Sequence, residues 1–185
     1  MKVGKKRIAV VIGTEGEVKN EIERKLGLDI DIDSKTGLVE IKPNKDHPNY
    51  EPYNKLIANR IIKAISRGFN PSKAMKLLDE NIQLQVVNLV SILGKSDKKL
   101  RRIKGRLIGR NGEMRKALEQ YGECFVAIYG KTISVIAHYQ NMNVVRKAIN
   151  MLIEGTPHHV VLKLLERKYN ERKKERFREM YKPEF

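Results

Sequence analysis

Arg101-Arg102-Ile103-Lys104-Gly105-Arg106-Leu107-Ile108-Gly109-Arg110-Asn111-Gly112 sets five cations on the approach to, and inside, a Gly-x-x-Gly tetrapeptide. Such a tetrapeptide alone carries little meaning at ordinary glycine frequencies. A second copy supplies the meaning. Gly13-Thr14-Glu15-Gly16 opens the first half of the chain, and the residues after each loop correspond. Gly16-Glu17-Val18 echoes Gly112-Glu113-Met114, Leu26-Gly27 echoes Tyr121-Gly122, and Lys35-Thr36 precedes Lys131-Thr132 by 96 positions, the same offset as the glycines. Beyond a longer loop in the first copy the offset falls to 87. There Gly68 with Lys76-Leu77-Leu78 matches Gly155 with Lys163-Leu164-Leu165. The chain is a duplication around a glycine loop that opens a helix, an arrangement suited to phosphate.

The flanking patterns define the elements. Arg7–Ile12 is a β-branched run that reads as a buried strand leading into the first loop. Val18, Ile22 and Leu26 recur at helical spacing, with Gly27 as C-cap. Leu28–Asp33 alternates as a half-buried strand, and Leu38–Ile41 returns it. Leu56, Ile57, Ile61, Ala64 and Ile65 form one face of a helix that stops near Gly68. In the second copy, Gln83–Leu93 reads as the first strand, and Ser96-Asp97 caps a short helix running to Ile108. Met114, Ala117, Leu118 and Tyr121 line the next helix. Phe125–Tyr129 and Thr132–Ala137 make a hairpin, and Val144, Val145, Ala148, Ile149 and Leu152 line a closing helix. The expected fold class is α+β: two tandem β–α–α–β–β–α domains, each an antiparallel three-stranded sheet covered by helices on one face. The first domain spans 1–75 and the second 80–157. A basic helix over 158–185 follows, packed on the domains by its apolar positions with its basic side free; the alternative is a solvated helix with i, i+4 charge pairs.

Charge is distributed unevenly. The chain of 185 residues carries a net +16. Residues 1–69 hold 14 Lys/Arg against 10 Asp/Glu, and the remainder holds 24 against 12. This excess around the second loop points to a polyanionic partner. No apolar run is long enough to span a bilayer and no signal-peptide core is present, so a membrane partner is not expected. The single cysteine, Cys124, excludes an internal disulfide and suits a reducing, cytoplasmic setting.

Strand, short helix, Gly-x-x-Gly, helix, hairpin and helix in this order resemble the K homology (KH) domain of type I, in which the glycine loop clamps about four unpaired nucleotides. Glycines admit the sugar-phosphate close to the main chain, and the amides and dipole of the following helix favour phosphate. Expected RNA contacts are Arg102, Lys104, Arg106, Leu107, Ile108, Gly109, Arg110, Asn111, Gly112 and Arg115. On the 124–129 strand, Val126 and Ile128 are expected to join them, although alternation alone leaves open whether Phe125 and Ala127 face the groove instead. Arg110 pairs with phosphate or stacks on a base, and Asn111 donates and accepts. The first loop, with Gly13, Thr14, Glu15, Gly16 and Lys19, places a carboxylate in the clamp. It is expected to be a scaffold or a secondary RNA or protein contact.

A weak first KH domain, a basic second one and a basic tail resemble the archaeal members of the partner-of-Nob family, with Arg101–Gly112 the most family-like segment. The resemblance implies a non-enzymatic role in small ribosomal subunit biogenesis. It implies binding of single-stranded small-subunit rRNA near its 3′ end, and partnership with the endonuclease that trims that end and with the alpha subunit of the archaeal initiation factor. The alternative is an adaptor for those proteins, with RNA affinity secondary. No cofactor or metal is expected. Asp29–Glu40 spaces carboxylates like a calcium loop but lacks the turn glycine, since Ser34 stands there. His158-His159 has no ligand partners at metal spacing, and Cys124 reads as a core residue.

Overall fold

The computed structural model describes residues 1–181; the last four positions of the expected 158–185 helix lie outside the described residues. The chain divides into two compact units. One comprises residues 1–87 with 127–136, and the other residues 88–126 with 137 onward. The hairpin stretch 127–136 thus groups with the first unit, a division different from boundaries at 75 and 80.

In the first unit, helix α1 (Lys5–Ile12) is followed by the loop turn at Thr14–Gly16 and helix α2 (Glu17–Leu26). Strands β1 (Leu28–Ile32) and β2 (Val39–Pro43) pair antiparallel with Leu28 opposite Pro43 and Ile32 opposite Val39. Helix α3 (Asn54–Ser66) and the short α4 (Pro71–Ala74) follow, then strand β3 (Ile82–Asn88).

Arg7–Ile12 is therefore helix, not strand. Ile8 and Val11, three apart, are the buried residues of α1, while Ala9 between them is exposed. Arg7 fixes this helix: its Nε donates to Ile65 O at 2.9 Å and a terminal nitrogen to Phe69 O at 2.6 Å, at the C-terminal end of α3. The first sheet is likewise not three-stranded. It has two strands, and the place of a third is taken by a single bridge, Lys2 to Leu38. Here the order β–α–α–β–β–α survives with its first strand reduced to one pairing.

The second unit contains α5 (Leu89–Leu93), α6 (Asp97–Ile108), α7 (Glu113–Gly122), α8 (Tyr139–Glu154) and α9 (His158–Met180). Strands β4 (Cys124–Tyr129) and β5 (Thr132–His138), whose residues 127–136 belong to the first unit, form with β3 a three-stranded sheet with the order β3-β5-β4. The run Gln83–Leu93 is not one strand. Asn88 ends it, its side chain accepting from Val90 N at 3.0 Å and starting α5. An Asn at an N-cap offers the backbone just this alternative to a ladder.

Helix α9 is docked over its first five turns. Val161 and Leu165 are fully buried, Tyr169 meets Tyr121 edge-to-face at 5.9 Å, and Arg172 donates to Tyr121 O at 2.7 Å. Arg176 pairs with Glu123 at 2.7 Å. Glu123 caps α7 in the left-handed region at φ 48°, and Arg172 and Arg176 offset its carboxylate at a negative helix end. The mixed α+β fold and its two antiparallel sheets match expectation at that level.

The duplication is physical as well as textual. Glu23 accepts from Ile30 N at 2.6 Å while pairing with Lys19 at 3.4 Å. At the 96-residue offset, Glu119 accepts from Val126 N at 2.9 Å while pairing with Arg115 at 3.5 Å. Each glutamate ties the helix after the glycine loop to the following strand. Buried Asn54 and Asn141 also correspond, at the 87-residue offset.

Candidate nucleic-acid interface

Helix α6 stops because Gly109 adopts φ 76° and ψ 175°. A Cβ there would lie 2.7 Å from Met114 N and 2.8 Å from Met114 Cβ, so α7 packs directly on the turn. Asn111 sits at φ 51° and Gly112 at φ 78°. Asparagine is among the few side-chain-bearing residues that accept the left-handed region readily. The result is a bare main chain running into the N-terminus of a ten-residue helix; Gly112 N donates to Gly109 O at 3.3 Å and Glu113 N to Arg110 O within the turn. Arg110 and Asn111 project from it into solvent.

The first loop has the same backbone. Gly13 lies at φ 79° and ψ 176°, Glu15 at φ 51°, and Gly16 at φ 84°. A Cβ on Gly13 would meet Val18 N at 2.7 Å, the counterpart of Met114. Only the side chains differ. Glu15 occupies the place of Asn111 and is exposed, and Lys19 is drawn to Glu23.

Cations near the second loop fall into two groups. The side chains of Lys98, Arg101, Arg102, Lys104, Arg110 and Lys116 make no hydrogen bond or ion pair to another described residue. Arg106 and Arg115 are engaged. Arg106 donates from Nε to Leu152 O at 3.1 Å and from a terminal nitrogen to Thr156 O at 2.6 Å, satisfying carbonyls at the end of α8. It reproduces in the second unit what Arg7 does in the first. Arg115 is held by Glu119, and its Nε is buried without a partner.

Of the apolar candidates, Ile108 is 39% exposed, whereas Leu107 and Val126 are buried at 0% and 1%. Burial does not alternate along β4: Val126 and Ala127 are both buried, and Phe125 and Ile128 are half-buried. Motif reading passes over Gly105. It is exposed in the middle of α6, and a Cβ added there would have nothing within 4 Å. A mid-helix glycine costs about 1 kcal/mol relative to alanine. No protein neighbour requires the glycine there, and it leaves the helix surface bare beside the loop.

Cys124 is buried and chemically quiet. Burial first, then the Glu119 carboxylate, push its thiol up to about 12, with Arg172 partly opposing. The thiolate is the nucleophile, so the native protein should resist iodoacetamide at pH 8 and react promptly once unfolded. Because the folded pKa is raised, this group's contribution to stability is complete below the ordinary thiol range. It is lost as pH rises above that range, when the unfolded chain ionises first. Alkylation of the native protein at the rate of a free thiol would contradict this burial. Among the described residues no group of three or more His, Cys, Asp or Glu side chains is placed to hold a metal ion. No helix among them is long and apolar enough to cross a membrane.

Known proteins share this geometry. The family described as eukaryotic-type KH domain, KH-domain type I, in its PNO1 second-domain form, matches residues 83–170. The crystal structure of Dim2p from Pyrococcus horikoshii OT3 superposes with a TM-score of 0.82 at 39% identity, covering 90% of this chain and 96% of that one. A KH domain-containing protein of Methanocaldococcus jannaschii, MJ0443, is 34% identical over 177 residues, which is 96% of this chain and 76% of the relative. The chain belongs to the PNO1/Dim2-like archaeal KH proteins. A protein of unknown function from Aeropyrum pernix, APE0754, has a TM-score of 0.89 at 36% identity over 98% of this chain and 95% of its own. The Pyrococcus horikoshii OT3 a/eIF2alpha-aDim2p-rRNA complex contains a chain with a TM-score of 0.85 at 38% identity, covering 92% of this chain and 93% of that one. This PNO1/Dim2-like chain therefore has an RNA-binding fold, in a family that is not a known enzyme family.

Proposed function

We propose that this PNO1/Dim2-like protein binds single-stranded small-subunit rRNA near its 3′ end through the Gly109–Gly112 loop and acts in small-subunit biogenesis. One observation carries the reading: the two loops share a backbone, yet the second has Arg110 inside it and Lys98, Arg101, Arg102, Lys104 and Lys116 around it without an acid partner, whereas the first has the Glu15 carboxylate inside it and only Lys5 and Lys6 unpaired on its approach. An uncompensated cationic cluster beside a helix N-terminus is the electrostatic footprint of a phosphate backbone. In this reading Arg102, Lys104, Arg110 and Asn111 touch the strand, Gly105, Gly109 and Gly112 admit it, and Ile108 offers apolar surface to bases. Arg106, Leu107, Arg115 and Val126 hold the platform beneath. The rRNA named in the related complex supports the choice of RNA.

A second reading rests on Glu15. The first loop retains the clamp conformation with a carboxylate in it, which suits a protein contact better than phosphate. The initiation factor alpha subunit in the related complex names one such partner class, and the 3′-end endonuclease is another. Ultraviolet crosslinking in cells, followed by sequencing of the attached RNA, should enrich fragments from the 3′ end of small-subunit rRNA. Enrichment of messenger RNA without rRNA would overturn the proposal. Affinity capture after exhaustive nuclease treatment should lose ribosomal proteins; partners that persist would favour the adaptor reading.

A further inference from the structure

The exposed side of α6 extends the cationic surface well beyond the glycine loop. Lys98, Arg101 and Arg102 stand three and four residues apart, so they neighbour one another on the helix, where like charges destabilise it. All three are exposed and none reaches a described acid. One turn further on is Gly105, and one turn after that are Ile108 and Gly109. Lys98, Arg101, Arg102 and Gly105 line an open groove of about 520 Å³, with Asp97 at its far end. That is more room than isolated waters need.

We infer that the RNA strand does not end at the four-nucleotide clamp but continues along this groove, with phosphates on Arg102, Arg101 and Lys98. The inference rests on the reading of the Gly109–Gly112 loop as an RNA clamp. Lys98 lies eleven residues before Gly109, or ~16 Å along the axis, a span for about three further nucleotides. The helix surface between loop and groove is bare at Gly105, with open space above it. Asp97 bounds it: its carboxylate opposes a phosphate while favouring the helix N-terminus. The footprint is thus finite. An acidic protein segment could use the same charges, but Lys98, Arg101, Arg102 and Gly105 share one helix face with Ile108 and Gly109, and that shared face favours one strand over two separate ligands.

The test uses the full chain and mixed-sequence oligoribonucleotides of about 4, 6, 8 and 10 nucleotides. Affinity should rise about tenfold from the shortest to the 8-mer and then level off. In the double variant Lys98→Glu, Arg101→Glu that rise should disappear, with 4-mer affinity within about twofold of the parent. The salt slope for the 8-mer should become shallower by about 1.4, two phosphates at ~0.7 each. The neutral pair Lys98→Gln, Arg101→Gln should remove part of the rise, and neither variant should melt below the parent, since neither side chain has a protein partner among the described residues and the like-charge repulsion on the helix is relieved. A rise that persists unchanged in the charge-reversed variant overturns the inference while leaving the clamp intact. Failure of the parent to bind the 4-mer overturns the clamp, and this extension with it. Unchanged RNA binding together with lost polyglutamate binding would assign the groove to a protein.

Discussion

Replacing Arg110 and Asn111 together by aspartate will lower affinity for short single-stranded RNA about a hundredfold, or ~2.8 kcal/mol. Three charge units change within the tetrapeptide, and all fall where the strand approaches the amides of α7. Losing one charge-assisted hydrogen bond costs ~1.5–3 kcal/mol, and repulsion from two new carboxylates adds to it. The fold should be unaffected. The Arg110 side chain makes no hydrogen bond or ion pair to a described residue, and aspartate, like asparagine, tolerates the φ of 51° at position 111. The first loop shows that a carboxylate fits there, because Glu15 already occupies the equivalent position at the same φ. Fluorescence anisotropy across a salt series checks the effect, with the slope becoming shallower as phosphate contacts are lost. Retained affinity with an unchanged slope would remove the loop from the mechanism.

If backbone geometry alone made a clamp, both loops would bind, since their dihedral angles agree to within about 10°. Electrostatics separates them. In α2, Lys19 and Lys25 pair with Glu23 and Glu21, and no cation stands inside the loop. In α6 and α7 most cations point to solvent without a described partner. The duplication preserved the tie from helix to strand through Glu23 and Glu119, and the holding of a corresponding helix end by an arginine, although Arg7 and Arg106 stand 99 apart and so occupy different positions of the repeat. It diverged in the residues that face outward.

The glycine loops, their helices and both hairpins are legible in the sequence because glycine, helical spacing and alternation each report one local constraint. Arg7–Ile12 misleads because β-branched density outweighs a two-point helical period of Ile8 and Val11. The internal register holds the remedy: the residues before Gly109 form a helix, so those before Gly13 should as well. The loss of a strand from the first sheet has no local signature. The division of cations is also hidden. Whether Arg106 faces RNA or the carbonyls of Leu152 and Thr156 depends on where α8 ends in space, and no spacing in the sequence records that. Burial of Leu107 and Val126 is invisible for the same reason, since an apolar residue beside a groove and one beneath it look alike in sequence.

Truncation tells the two kinds of apolar residue apart. Leu107→Ala should lower the stability of the protein by ~2–5 kcal/mol, the usual cost of truncating a well-packed leucine. Leu107 is wholly inaccessible, and it lies two residues before Gly109, where α6 must hold its last turn against α7. The cavity would therefore open directly under the loop. Because total stabilities of folded domains are ~5–15 kcal/mol, a large fraction of the margin would go. Chemical denaturation monitored by circular dichroism measures the loss, and RNA binding measured well below the melting transition separates packing from contact. If Leu107 supports the platform, affinity in the folded variant should fall only a fewfold, through a less rigid loop, and the Ile108→Ala variant should show the opposite balance. Ile108 is 39% exposed, so its truncation should leave the denaturation midpoint nearly unchanged while weakening binding. An unaltered midpoint for Leu107→Ala with a large affinity loss would make the leucine a ligand contact, and would require the groove to open when RNA enters.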